Sequence, residues 1–333
     1  MTTAAKHDGF DSSREVTLQI NLSAGDAAYA RLTVPALLRS QEHVLRRMAV
    51  VDCCRPQRTG IFDPERRSTL DEFSRRLSEV RNLAEQLKRS GLLDEIAYIE
   101  PGDPRIPGFA SRYGRRWMTE THDYGGCAFM AYWAALDLPQ TRFVLHYDAD
   151  MLVHQDPGFS WVDEALAHWA AHPRAIAAVP RMSPPGFASS PEDDAPTLHE
   201  GRPKEAVSGG WLNDWFSTRC FLLDRARLSP LLPLASPWEA AVLRVRKLAA
   251  RGYPPAPELL LNRSLGRRGW RCLNLGSEKA WLLHPIRKDG EYLRLLPTIL
   301  AAVAEGSVPK TQMGHADILV DAWAAFAVGR SAT

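Results

Sequence analysis

The stretch Phe143-Val-Leu-His-Tyr-Asp-Ala-Asp-Met-Leu-Val153 decides how the rest of the chain is read. Four residues, Phe143 to His146, have the length and composition of a buried strand. The run passes directly into Asp148 and Asp150, separated by one alanine. An Asp-x-Asp pair by itself is common, and its place at the end of a strand gives it weight. Two carboxylates spaced this way can hold a hard divalent cation, which in turn can grip a diphosphate.

Working upstream, Val16-Thr-Leu-Gln-Ile-Asn-Leu22 alternates apolar and polar residues, the period of a strand. Met48-Ala-Val-Val51 is a second strand and ends in Asp52; Ile96-Ala-Tyr-Ile99 is a third. Helical segments separate them. One covers Tyr29 to Arg46, with Pro35 near its start. Another carries Leu70, Phe73, Leu77, Val80, Ala84 and Leu87 at intervals of three and four, with Ser68 and Asp71 in capping-box spacing and Gly91 past its end. Tyr124 to Leu136 is apolar and predicts a buried helix opening at Gly125-Gly126. Strand and helix alternating at this spacing predict an α/β fold, a doubly wound, mainly parallel sheet with helices on both faces. Ligands on such sheets sit beyond the carboxyl ends of the strands. Asn21, Asp52 and the Asp148/Asp150 pair all fall at such ends.

Downstream the pattern loosens. We expect a helix over Asp163 to Ala171, a strand at Ala175 to Val179 and a loop over Pro184 to Pro203. A strand at Cys220 to Leu223 and a helix over Trp238 to Arg251 follow. Late strands are expected at Trp270 to Leu275 and Trp281 to His284, and helices over Tyr292 to Ala304 and Asp317 to Val328. The expected organisation is a disordered tail (1–15), a nucleotide-binding half (16–153), an acceptor-binding half (154–290) and a C-terminal helical segment (291–333).

Composition excludes several classes. With 333 residues, 45% hydrophobic and 24% charged, the chain is neither disordered nor a small stapled domain. A net charge of +2 argues against nucleic acid as the main partner. The five cysteines form no CxxC and no zinc-type spacing, which fits buried thiols in a reducing compartment, so a cytoplasmic protein is expected. No apolar run is long enough for a transmembrane segment, so any membrane attachment would be peripheral. The oligomeric state is not legible.

The segment from Phe143 to Val153 resembles the strand-plus-DxD element of GT-A glycosyltransferases. Asp52 resembles the acid those enzymes place on the nucleotide base. Trp215 to Leu228 is similar to the segment after their acceptor loop, Pro257 to Trp270 to the acid-then-helix-then-Gly segment of family 2 members, and His284-Pro285 to their late metal histidine. The resemblance covers Val16 to His284 and is to a divergent member. Asp52 is followed by Cys-Cys-Arg-Pro where a second Asp and a Ser-Thr are usual, and Glu258 stands alone where an acid pair is common.

The resemblance implies a metal-dependent, inverting transfer of sugar from a nucleoside diphosphate sugar donor to an acceptor hydroxyl. It implies Mn2+ or Mg2+ on Asp150 and His284, with Asp148, Asp52 and Asn21 on the nucleoside side. Inversion needs a carboxylate near the acceptor hydroxyl, on the face opposite the diphosphate. Glu258 is the first candidate and Asp214 the rival. Arg115 and Arg116 are placed to reach a diphosphate. Trp211 and Trp215 suit a sugar platform, and equally one apolar helix face. A sugar-phosphate nucleotidyltransferase would need a basic, Gly-rich loop after the first strand, which Asn21 to Asp26 lacks. No GxGxxG follows a strand, against a dinucleotide-dependent oxidoreductase. A non-catalytic sugar-binding protein on the same sheet is the alternative from another class.

Overall fold

A computed structural model describes residues 15–186, 205–215 and 217–331. Almost all of the expected tail and the expected loop over Pro184 to Pro203 lie outside these residues.

The first half alternates as anticipated. Strand β1 (Val16–Ser23) is followed by helix α1 (Ala30–Ser40), β2 (Arg46–Asp52), α2 (Leu70–Arg89) and β3 (Glu95–Ile99). Then come α3 (Ile106–Tyr113), α4 (Met130–Asp137), β4 (Phe143–Asp148) and β5 (Leu152–Gln155). The second half holds α5 (Trp161–Trp169), β6 (Ala175–Val179), β7 (Glu205–Val207), β8 (Gly210–Asn213), β9 (Cys220–Asp224), α6 (Arg225–Leu228) and α7 (Pro237–Leu248). Helix α8 (Pro257–Arg267), β10 (Arg271–Leu275), β11 (Ala280–Leu283), α9 (Gly290–Ala304) and α10 (Val320–Ser331) complete the chain.

Nine strands form one sheet in the order β3-β2-β1-β4-β9-β6-β10-β8-β7. The four strands from β3 to β4 are mutually parallel, and only β9 and β8 run against the common direction. The fold is therefore the expected α/β class, with a mixed far half. Buried on both faces, β1 keeps even Thr17 and Gln19 away from water. Its alternation therefore marks a polar row inside the molecule, not a wet face.

Several local expectations shift. The cap of α2 is Thr69, whose Oγ1 accepts from the Glu72 amide at 3.2 Å, not Ser68. The Gly125-Gly126 pair does not open α4. It lies in a turn organised by Asp123, whose Oδ1 accepts from the amides of Gly125 (2.8 Å) and Cys127 (3.0 Å). Gly126 has a φ of +80° and packs under the Phe62 ring, and a Cβ there would come within 2.5 Å of it. Trp211 lies on β8, not on a helix face.

A second, two-stranded sheet pairs β5 with β11, and α1 and α9 both pack on β5. Its register places Leu283 opposite Leu152. The residue after Leu283, His284, therefore arrives beside Asp150, more than a hundred positions away in sequence.

Candidate donor and catalytic site

A cavity of about 390 Å³ opens at the carboxyl ends of β1, β2 and β4. Asn21, Asp52, Asp148, Asp150 and Glu258 all line it. The pairing of β4 with antiparallel β9 accounts for the last of these. Tyr147 pairs with Cys220, so Arg219 lies opposite Asp148, and the Asp148 amide donates to the Arg219 carbonyl at 2.7 Å. The neighbouring Thr218 donates to Glu258 Oε2 from its amide (3.0 Å) and its hydroxyl (3.2 Å). Glu258, in the first turn of α8, is thereby held at the end of β4.

Asp148 is oriented from inside the sheet. Its Oδ1 accepts from the Tyr132 hydroxyl at 2.6 Å and lies 3.3 Å from His146 Nε2. The other imidazole nitrogen of His146, which is fully buried, bonds Gln19 Oε1, and Gln19 Nε2 donates to Asn21 Oδ1 at 2.9 Å. One buried polar row thus joins Asn21 to Asp148.

Asp150 is almost fully buried. Its Oδ2 takes an ion pair from Lys288 Nζ and lies 3.5 Å from His284 Nε2. Burial pushes its pKa up, but His284 and Lys288 outweigh this and hold the carboxyl well below the usual range. Asp150 Oδ1 is buried with no hydrogen-bond partner among the described residues. The Lys288 ammonium also sits 5.0 Å from the centre of the Tyr29 ring.

Asp52 is buried as well. Its Oδ1 accepts from the Cys54 amide at 2.9 Å, and its Oδ2 lies 3.2 Å from His122 Nε2. Burial raises the Asp52 pKa to about 7 and lowers that of His122 to about 4, so desolvation drives both groups towards their neutral forms. Asp26 accepts from the Tyr29 hydroxyl and from the amide (2.7 Å) and hydroxyl (2.9 Å) of Ser23. Burial, with a contribution from Asp150, raises it to about 6.

The remaining candidates lie elsewhere. Arg115 does not line the cavity; it donates to the Ala235 carbonyl at 2.6 Å. Trp211 is buried on β8, near the opposite edge of the sheet from β1 and β2, against Gly276. Asp214 and Trp215 follow β8 and are not among the lining residues. Asp26, His122, Asp123, Tyr132, Thr218, Arg219 and Lys288 were not singled out from the sequence. Of these, Asp26 carried a local signal, three residues after Ser23 at a strand end.

The cavity gathers six carboxyl groups (Asp26, Asp52, Asp123, Asp148, Asp150 and Glu258) against two cationic side chains, Arg219 and Lys288. Such a site takes an anion only when cations accompany it. No cluster of three His, Cys, Asp or Glu in metal-binding geometry occurs among the described residues. A cation would therefore take part of its coordination from its ligand or water. The unpartnered Asp150 oxygen and the adjacent imidazole are donors of a type that suits such an ion.

No protein-family model and no curated protein matches the chain in sequence. Comparison with solved structures finds likenesses at low identity and low TM-score. One is S. aureus TarS 1–349, solved also with UDP-GlcNAc: 11% identity, TM-score 0.40, over 87% of this chain and 66% of that one. Another is the mannosyltransferase PcManGT from Pyrobaculum calidifontis, in complex with GDP-Man and Mn2+: 15% identity, TM-score 0.43, 98% of this chain and 78% of that one. The galactosyltransferase LgtC with donor and acceptor sugar analogs matches at 12% identity and TM-score 0.33, over 78% and 72%. The chain spans just under two thirds of the TarS 1–349 structure and 40% of a longer TarS structure.

Proposed function

We propose that this protein is a nucleotide-sugar glycosyltransferase, moving a sugar from a nucleoside diphosphate donor to an acceptor hydroxyl with inversion. The observation that carries the reading is the cavity itself. Asn21, Asp52, Asp148 and Asp150 stand at three adjacent strand ends, and Glu258, oriented by Thr218, lines the same space.

In this reading Asn21, Asp52 and Asp148 position the nucleoside. Lys288 and Arg219 steady the diphosphate. Asp150 with His284 would hold Mn2+ or Mg2+, which when bound would offset the charge of the departing diphosphate. Glu258 Oε2 is engaged by Thr218, and Oε1 takes the proton of the acceptor hydroxyl as that oxygen attacks the anomeric carbon. The new carbon–oxygen bond forms on one face while the bond to the diphosphate breaks on the other, its electron pair leaving on the phosphate oxygen. Asp214, the rival in sequence, does not line this cavity.

The protein has no disulfide among the described residues, and four of its five free cysteines are buried, which supports a cytoplasmic location. No described helix is long and apolar enough to cross a membrane. The testing experiment is release of free nucleoside diphosphate from a panel of sugar nucleotides, with acceptor sugars and with or without Mn2+. Turnover of at least one donor is expected. Binding of sugar with no release from any donor would favour the sugar-binding alternative.

A further inference from the structure

Helix α7 presents an apolar stripe to the outside. Among the described residues nine large hydrophobic side chains are exposed, and four of them lie on this one helix: Trp238 (77%), Val242 (39%), Val245 (65%) and Leu248 (82%). Their spacing of four, three and three places them on one face, an arc of about 120° at 100° per residue. The opposite face is attached to the protein through buried Leu243 and through Lys247, which pairs with Glu120 and donates to the Trp117 carbonyl at 3.0 Å. The stripe is therefore the outward face, not a core face left open.

Its flanks are cationic. By helical geometry Arg244 borders the stripe on one side and Arg246 on the other, and exposed Arg251 follows the helix end. None of the three has a salt bridge among the described residues. The one acid between Pro237 and Arg251 is Glu239, and it is engaged by Arg267. Gly60 lies against Ala250 just past the helix, bringing the loop that carries exposed Ile61 beside it.

We propose that α7 is an interfacial helix that seats the protein on an anionic lipid surface. Trp, Val and Leu enter the headgroup boundary while the arginines meet lipid phosphates. A second copy of the chain fits less well. Two such faces brought together would oppose arginine rows with no acid between them, and one twelve-residue stripe falls short of the roughly 800 Å² per partner that a stable dimer needs. Beyond α7 the chain enters Ala250, Gly252 and Tyr253, which line a second cavity together with Asp123, a residue shared with the candidate site. A bilayer under α7 would therefore lie beside the approach to that site.

The test is sedimentation of the full chain with sucrose-loaded vesicles of phosphatidylcholine, with and without about one third phosphatidylglycerol. The protein is expected to bind the anionic vesicles about tenfold or more tightly than the neutral ones, and to be released by about 0.5 M salt. Leu248→Glu and Arg244→Glu should each reduce binding about tenfold while leaving the thermal unfolding curve in place, since both residues point outward. The proposal is overturned if the wild type stays in the supernatant with anionic vesicles, or if both variants bind as well as wild type. It is overturned equally if analytical ultracentrifugation shows a dimer that Leu248→Glu dissociates.

Discussion

Replacing Glu258 by Gln tests the catalytic assignment with little structural disturbance. The carboxylate accepts two hydrogen bonds from Thr218, both on Oε2 and both of ordinary length. A glutamine carbonyl can accept the same two, so the first turn of α8 should stay docked on the segment beside β4. What the variant lacks is an oxygen able to take a proton. Lost general-base catalysis costs about 10²- to 10⁴-fold, and at 1.36 kcal/mol per tenfold that is about 2.7 to 5.4 kcal/mol on the transition state. Loss of the Thr218 contact would instead show as a stability change on the order of 1 kcal/mol. Transfer rates with saturating donor and acceptor, set beside calorimetric titration of nucleoside diphosphate, separate the two. We expect kcat to fall at least about a hundredfold, with nucleotide affinity essentially unchanged. If Glu258→Gln transfers within a few-fold of wild type while Asp214→Asn is inactive, the base is Asp214. If Glu258→Gln loses nucleotide affinity, the residue belongs to the donor side and the proposed geometry is wrong.

Asp150→Asn removes the charge that Lys288 and His284 converge on, so Mn2+-dependent nucleotide binding should weaken by about tenfold or more; calorimetry in Mn2+ and in EDTA measures it, and unchanged Mn2+ dependence would move the cation elsewhere. Gly210→Ala should be strongly destabilising, on the order of 3 kcal/mol or more, because its Cβ would come 2.0 Å from the Asn274 carbonyl oxygen on the paired strand β10; denaturant unfolding that shows a near-neutral change would contradict the register. Asp52 gives a pH prediction. Its folded pKa, about 7, lies above the ordinary 3.8, so folding favours the protonated acid and the penalty for ionising it grows as pH rises from about 4 to about 7. Asp52→Asn should therefore gain stability relative to wild type as pH rises from about 4 to about 7, and melting curves showing the reverse trend would mean the carboxylate is stabilised as an anion.

The sequence by itself determined the local elements and the acids attached to their ends. Periodicity is a property of neighbouring residues and located β1 and the long helix α2, while short apolar runs located β2, β3 and β4 and so placed Asn21, Asp52, Asp148 and Asp150 at strand termini. Glu258 at the start of a helix came from the resemblance of Pro257 to Trp270 to a family segment, not from periodicity. The sequence reading erred where a local signal has two physical readings. Gly125-Gly126 serves a turn around Asp123 instead of starting a helix, and of the two readings left open for Trp211 and Trp215 the helix face fails because Trp211 lies on a strand. Tertiary structure alone decided which distant groups meet. Lys288 reaches Asp150 and His284 approaches it because β11 pairs with β5 in a register set by side-chain burial on both strands. Thr218 orients Glu258 because β9 returns antiparallel beside β4. His122 faces Asp52 across a loop that carries no periodicity. Strand order and register are properties of the whole packed sheet, whose energy is summed over residues far apart in the chain, so no window of sequence contains them.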